Sequence, residues 1–135
     1  MVVDELMTTN VLTVSEKETL KLADAEMRLG NFRHLPVMDE KQHVVGVLSD
    51  RDVLRALKRH SSDLPVGQIM TRHVHTVRTG TPAERAATIM MERGVGALPV
   101  IGDGEVLVGI LTVSDFLQIA RDALAAHGTS RSHPE

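Results

Sequence analysis

The sequence predicts an α/β protein of the α+β type, with two tandem β-α-β-β-α repeats packed about a pseudo-twofold axis. The seven-residue pattern glycine, two apolar residues, Ser or Thr, two variable residues and aspartate occurs twice, at residues 46–52 and 109–115. The tripeptide LPV also occurs twice, at residues 35–37 and 98–100. Both pairs are offset by 63 positions without a gap. One register held across separate elements indicates an internal duplication.

The same series of elements is predicted in each repeat. Apolar residues at helical spacing, such as Leu20, Ala23 and Met27, indicate an amphipathic helix after a short first strand. Two further strands follow, separated by polar turn-like residues, and then a closing helix. The predicted ranges, in chain order, are strand 10–14, helix 19–29, strands 34–38 and 44–48 and helix 50–59, then strand 73–77, helix 82–93, strands 97–101 and 106–111 and helix 113–126.

The helix at residues 82–93 carries a start signal. Thr81 is expected as its N-cap, with Pro82 at the first helical position and Glu84 completing a capping box. The sequence therefore predicts that the Thr81 side chain satisfies a backbone N–H of the first turn.

The repeat also predicts the domain boundaries. The first repeat spans residues 1–59, residues 60–65 form a linker, and the second repeat spans residues 66–126. Residues 127–135 carry little apolar content and are expected to be a disordered tail. Since one repeat buries too little surface to be stable alone, the two are expected to pack together and leave an equivalent cleft on each side of the axis.

Composition excludes several classes of function. Hydrophobic residues make up 42% and charged residues 24%, as in ordinary globular domains. A net charge of −3, two Phe and no Trp or Tyr argue against a nucleic-acid partner, which calls for basic residues and stacking aromatics. The absence of Cys excludes thiolate metal sites and disulfides. The start is not a signal peptide and no apolar run approaches ~20 residues, so no membrane association and a cytoplasmic location are expected.

The order of elements, with LPV and the glycine-to-aspartate pattern at these places, resembles the cystathionine β-synthase (CBS) domain, and the tandem pair resembles the Bateman module. The resemblance covers about residues 3–126. It implies a regulatory sensor of adenosine-containing ligands (AMP, ADP, ATP or S-adenosylmethionine), with no required cofactor. It also implies a homodimer and a regulated protein partner of unknown identity. Nothing else is attached within this chain, so the pair is expected to stand alone.

Asp52 and Asp115 are the candidate ribose-binding residues. An ionised carboxylate is an acceptor only and can take both ribose hydroxyls. Ser49 and Thr112 lie three residues earlier, where strand turns into helix and an anion is favoured. Their hydroxyls are candidates for the ribose or the first phosphate. The same spacing also fits a capping box, and the residues alone leave this alternative open.

The resemblance implies that each cleft takes its ribose aspartate from one repeat and much of its adenine wall from the other. Core packing is the alternative role for every apolar residue concerned. The expected adenine walls are Val11, Leu12, Phe32, Pro36 and Ile110 in the Asp115 cleft, and Val74, His75, Val95, Pro99 and Val47 in the Asp52 cleft.

Candidate phosphate ligands are Arg33, His34 and Arg51, which the resemblance directs to the Asp115 cleft. The second repeat has Gly96, Ala97 and Ser114 at the matching positions. Arginine can grip phosphate oxygens with two parallel hydrogen bonds. The Asp115 cleft is therefore expected to prefer AMP, ADP or ATP, and the Asp52 cleft to be weaker or to take a less anionic ligand. Solvated surface positions are the alternative.

Other groups of residues give weaker evidence of function. His73 and His75 alternate on a strand without a third ligand at a recognisable spacing, so no metal site is expected. The chain has no G-x-S-x-G elbow, no Walker loop and no cysteine nucleophile, and it is expected not to be an enzyme. The second hypothesis for its function is a ligand-free interaction module whose aspartates only cap helices.

Overall fold

The structure, a computed structural model, describes residues 1–72 and 74–129. It has the predicted α+β architecture of two tandem repeats with the same order of elements. The first repeat contains β1 (Val14–Ser15), α1 (Leu20–Gly30), β2 (His34–Met38), β3 (Val44–Ser49) and α2 (Asp50–Arg59), and the second contains β4 (Val77–Arg78), α3 (Ala83–Arg93), β5 (Ala97–Ile101), β6 (Leu107–Thr112) and α4 (Val113–Thr129).

Each repeat builds a three-stranded sheet around the strand that carries LPV. In the first sheet β2 lies between β1, which is parallel to it, and β3, which is antiparallel. The second sheet repeats this order with β5 at its centre. Leu35 and Val37 are fully buried in the first sheet, as are Leu98 and Val100 in the second. The tripeptide is therefore the core of each repeat.

The first strand of each repeat is shorter than predicted. Ladder pairing begins at Val14, opposite Val37, and at Val77, opposite Val100. The residue before each partner is a proline, Pro36 or Pro99, which has no N–H to donate to a neighbouring strand. Residues 10–13 therefore stay outside the sheet, and so do residues 74–76 before β4.

The two helices that follow these strands begin in different ways. The Thr19 hydroxyl accepts a hydrogen bond from Leu22 N–H at 3.2 Å and caps α1. The predicted capping role of Thr81 is wrong, because Pro82 is the N-cap of α3 and no side-chain cap bond is present there. Instead Ala83 N–H donates to the Met1 carbonyl at 2.9 Å. A distant backbone segment thus satisfies the donor that the Thr81 side chain was expected to satisfy.

The segment that opens each repeat packs on the other repeat. Val3 is fully buried in the core of the second repeat, and Val66 is fully buried in the core of the first. Val3 N–H donates to the Thr81 carbonyl at 2.9 Å, and Val66 N–H donates to the Glu18 carbonyl at 2.8 Å. The two repeats are consequently interlocked, since each core is completed by a segment of the other.

The closing helix of the second repeat is longer than predicted. α4 extends to Thr129, so the first residues of the predicted tail are helical. Residues 130–135 of that tail and His73 lie outside the described residues. Within the described ranges, no helix combines the length and apolarity needed to cross a membrane.

Candidate ligand-binding site

A cavity of about 1170 Å³ lies between the two repeats. Almost every residue that lines it has a counterpart 63 positions away that lines it too, for example Thr8 with Thr71 and Ser49 with Thr112. The sequence predicted two equivalent clefts. The structure has the two equivalent linings, but they open into one continuous space.

Two short backbone bridges between the repeats assemble the predicted adenine walls. Thr8 exchanges two hydrogen bonds of 3.0 Å with Ile110 of β6, and Thr71 exchanges bonds of 3.2 and 3.3 Å with Val47 of β3. The chain that follows each bridge runs along the cavity. The resulting lining residues are Val11 and Leu12 beside the first bridge, and Val74 and His75 beside the second.

Phe32 and Val95 are two further predicted wall residues that line the cavity. Each follows a helix that ends in a left-handed residue, Asn31 after α1 (φ 56°) and Gly94 after α3 (φ 64°). Phe32 N–H then donates back to the Met27 carbonyl at 3.0 Å, and Val95 N–H makes the equivalent bond of 3.2 Å. After this reversal both residues line the cavity.

Pro36 and Pro99 do not form walls of the cavity, contrary to the sequence-based expectation. Both are among the most deeply buried side chains of the chain and neither lines the cavity. Each lies in the central strand of its sheet, paired with Val47 or Ile110 of the neighbouring strand. Their partners form the cavity surface, and the prolines belong to the core.

The two candidate ribose aspartates differ in what they contact. The Asp115 carboxylate accepts the Thr112 N–H at 2.8 Å and lies 3.4 Å from the Thr112 hydroxyl, and Asp115 does not line the cavity. Asp52 does line the cavity, half-buried, and its own N–H donates to the Ser49 hydroxyl at 3.1 Å. Its carboxylate accepts no hydrogen bond from the described residues. A capping box combines two reciprocal bonds, one accepted by the Ser or Thr hydroxyl and one by the acidic side chain. Here the first repeat shows the bond to the Ser49 hydroxyl, and the second shows the bond to the Asp115 carboxylate.

The three candidate phosphate ligands all line the cavity. The Arg33 carbonyl accepts the Asp50 N–H at 2.9 Å, which fixes Arg33 beside the first turn of α2, the turn that also carries Arg51. Both arginines are exposed, and neither forms an ion pair within residues 1–72 and 74–129. Their guanidinium groups are free to meet an anion.

His34 lies between the two linings. It pairs with Ser49 in the first sheet, and a Cβ built on Gly96 of the second repeat would lie 3.4 Å from its Nε2 atom. Gly96 in turn accepts the N–H of Val113, the first residue of α4, at 3.2 Å. Burial lowers the pKa of the His34 imidazole from its ordinary value, a shift that Arg33 reinforces and that the carboxylates of Asp50 and Asp52 oppose.

Sequence reasoning missed several polar residues of the lining, among them Thr8, Thr71 and Asn31. A signal for the threonines was present, because the dipeptide Met-Thr at residues 7–8 recurs at residues 70–71. Among the residues that the structure describes, no group of His, Asp and Glu has the arrangement of a metal site.

The sequence profile of the CBS domain matches the chain twice, over residues 3–59 and residues 66–122. The chain belongs to the CBS domain family. A relative, an uncharacterized 17.7 kDa protein of Acidianus ambivalens, is 34% identical over 125 residues, which are 93% of this chain and 74% of the relative. The chain matches about a quarter of a longer relative, the homoserine O-acetyltransferase of Methanococcus vannielii, at 28% identity.

Solved structures with this fold include CBS pairs with bound adenosyl compounds. The CBS domain pair of protein MJ0100, in complex with 5′-methylthioadenosine and S-adenosyl-L-methionine, has a TM-score of 0.83 and 25% identity, covering 91% of this chain and 98% of that one. The structure of CBSX2 in complex with AMP has a TM-score of 0.77 and 28% identity, covering 90% and 97%. Both of these neighbours, which share the fold of this CBS pair, were thus solved with an adenosyl compound bound.

Proposed function

We propose that this CBS pair is a regulatory module that binds an adenosine-containing ligand in the cavity between its repeats. The observation that carries the proposal is the cavity itself, with apolar walls, a half-buried carboxylate and two arginines that form no ion pair with any described residue. Adenosyl compounds in complex with two structural neighbours support the ligand class. AMP, ADP, ATP and S-adenosylmethionine are the candidates.

Each part of such a ligand has a chemical counterpart in the lining. The adenine ring fits between apolar side chains such as Val47 and Val74, where backbone groups of an irregular segment can read its edge. The ribose diol offers two donors to a carboxylate. Phosphates are drawn to Arg33 and Arg51, whose guanidinium groups can each make two parallel hydrogen bonds. This cationic pair favours a phosphorylated adenosine over S-adenosylmethionine.

We expect Asp52 to be the stronger ribose anchor, which reverses the order predicted from the sequence. The Thr112 N–H already occupies one oxygen of the Asp115 carboxylate, so a ribose there has to share that carboxylate with a hydrogen bond at the start of α4. The Asp52 carboxylate has no such partner among the described residues and already faces the cavity. The difference predicts that the Asp52 side fills first.

Regulation requires a second protein surface that responds when the ligand is bound. We propose a homodimer in which exposed apolar side chains of α4 form the contact, since Leu117 is 61% and Leu124 70% exposed in the single chain. Light scattering of the purified protein tests this arrangement. If the protein stays monomeric at every concentration, the proposed homodimer is wrong, and only the regulated partner protein would respond to the bound ligand.

The ligand-free interaction module is the second candidate, because one observation favours it. Ser49 caps α2, and the Asp115 carboxylate accepts the Thr112 N–H just before α4, which is the structural use of both motifs. In that case the cavity would hold no adenosyl compound, and the chain would act only through its surface.

Thermal unfolding with AMP, ADP, ATP and S-adenosylmethionine separates the two candidates. A ligand at about 100 times its Kd stabilises the folded state by about 2.7 kcal/mol. Asp52→Asn should remove most of the shift and Asp115→Asn should remove less. Asp103→Asn serves as the matched control, because Asp103 is exposed in a short 3-10 turn between β5 and β6 and does not line the cavity. No shift with any of the four compounds would support the interaction module instead.

A further inference from the structure

We propose that the outer surface of α1 and α2 is a docking site for an acidic amphipathic helix of a partner protein. Such a site would hold the regulated partner of the module, and it does not depend on which ligand the cavity takes. Three features support it: the packing of the two helices, a row of apolar side chains on α1 and a row of cations on α2.

The two helices form one layer on the first repeat, where they pack against each other. The Asp50 N–H, at the start of α2, donates to the Arg33 carbonyl just beyond the end of α1. At the opposite end, the Lys21 N–H in the first turn of α1 donates to the Ser62 carbonyl just beyond α2. The helices are therefore antiparallel neighbours, and their sides that face away from the core form one outer surface.

α1 carries apolar side chains on the side opposite the core. Its core-facing residues recur at helical spacing, and they are Leu20, Ala23 and Met27. Leu22 and Leu29 are two turns apart on the other side, with Ala25 between them, and Leu29 is 89% exposed. Their counterparts 63 positions later, Arg85 and Glu92, are charged and exposed on α3. Because the same position of the fold accepts charge, the fold does not account for this apolar row.

α2 carries a row of cations on its own outer side. Val53 and Ala56 are its buried residues, and the exposed cations follow at spacings of four and three, at Arg51, Arg55 and Lys58. None of the three forms an ion pair with another described residue. Arg51 and Arg55 are like charges four residues apart, and the first turn disfavours a cation such as Arg51. The stability of α2 therefore does not account for these arginines.

The carboxylates of α2 do not neutralise this row. Asp50 and Asp52 both line the cavity, and of the three cations only Arg51 lines it as well. Leu54, which is 53% exposed, lies beside the cations and adds a further apolar side chain to the outer surface. The surface thus combines exposed leucines with cations that have no partner among the described residues.

An acidic amphipathic helix complements both rows at once. Such a helix lies along an apolar surface through side chains at i, i+3 or i+4 and i+7. The leucines of α1 would contact those anchors, and acidic side chains on the flank of the helix would face the cationic row of α2. The apolar row supplies the buried contact, and the cationic row selects the sign of the partner's charge.

Two other occupants fit this surface less well. A second copy placed on it by a twofold axis would bring the cationic rows of both copies together. A nucleic acid would gain nothing from the leucines, and the chain has two Phe and no Trp or Tyr on which bases could stack. An acidic helix is the occupant that uses every part of the surface.

The test measures the binding of a dye-labelled peptide to the full chain by fluorescence anisotropy. The probe is a peptide of about 15 residues with leucines at i, i+4 and i+7 and glutamates on their flanks, and the control peptide has glutamine in place of each glutamate. We expect the acidic peptide to bind at least about tenfold more tightly, with a preference that shrinks as salt screens exposed charges. Because the whole chain has a net charge of −3, its overall field opposes this preference.

Several results would overturn the proposal. They are equal binding of the two peptides, binding of neither, and tighter binding of an oligothymidylate, which would assign the cations to a nucleic acid. Light scattering adds a further one: a dimer that Arg55→Gln dissociates would assign the surface to a second copy.

Two matched pairs of variants locate the peptide. Leu29→Gln should weaken the acidic peptide about tenfold, whereas Met91→Gln, at a similarly exposed position of α3, should leave its affinity unchanged. Arg55→Gln should weaken it about fivefold, whereas Arg121→Gln on α4 should not. Equal effects within either pair would contradict docking on α1 and α2. None of the four positions lines the cavity, so all four variants should keep the thermal shift with adenosyl compounds that tests the proposed function.

Discussion

Replacing Val3 by alanine tests whether the N-terminal segment completes the core of the second repeat. Val3 lies at the start of the first repeat in sequence, yet it is 0% exposed within the second-repeat cluster that contains Val77, Leu98 and Leu111. Alanine keeps the backbone hydrogen bond from Val3 N–H to the Thr81 carbonyl. The substitution therefore removes side-chain packing and little else.

The expected loss follows from the two methyl groups that are removed. Each buried methyl costs about 0.5–1.5 kcal/mol, including the cavity that remains, so Val3→Ala should lower the free energy of unfolding by about 2 kcal/mol. For a chain of this size that corresponds to a fall in Tm of about 8 °C. Val66→Ala, its counterpart in the other core, should cost the same because Val66 is also 0% exposed.

Urea unfolding followed by circular dichroism measures both losses, with Val106→Ala as the control. Val106 is 55% exposed, so its substitution should change the free energy of unfolding by less than about 0.5 kcal/mol. If Val3→Ala behaved like Val106→Ala while Val66→Ala lost its full amount, the N-terminal segment would not be docked in the second repeat, and the interlocked arrangement would be wrong.

Three further predictions concern single positions. Gly46→Ala should destabilise the fold by about 1–3 kcal/mol in chemical unfolding, because the new Cβ would overlap Met70 Sδ and lie 2.9 Å from the Thr71 carbonyl oxygen. Gly128→Ala is the control: it has open space around it and should be neutral or stabilising. Thr19→Ala should cost about 1 kcal/mol and Thr81→Ala less than about 0.5, since only Thr19 caps its helix; equal losses would restore the capping role of Thr81. The lowered pKa of His34 means that the folded state binds this proton less readily than the unfolded chain, so stability should fall as pH drops below about 6.5, and His34→Gln should reduce the loss measured between about pH 7.5 and about pH 5.5. An unchanged pH dependence in that variant would remove His34 as its source.

The sequence predicted most of the candidate site because the site residues repeat with the fold. The resemblance to the CBS domain predicts Val11, Val74, Val47 and Ile110 as wall residues, in pairs 63 positions apart, and all of them line the cavity. The same reasoning failed at Pro36, because a residue in a central strand contacts either the core or a cavity according to how the next element packs. The sequence also favoured the Asp115 cleft, whereas Asp52 is the aspartate that lines the cavity, because the Ser-x-x-Asp and Thr-x-x-Asp patterns do not show which carboxylate turns onto the backbone.

By itself the sequence determined the duplication, the order of elements and the core of each repeat, because periodicity and a repeated register are local properties of the chain. Only the tertiary structure decided that the opening segments are exchanged between the repeats. Val3 packs in the core of the second repeat, and the Met1 carbonyl accepts an N–H of α3 that the Thr81 side chain was expected to accept. It also decided that the two clefts are one cavity with His34 between them. These features depend on contacts between residues far apart in the chain, and such contacts leave no local pattern.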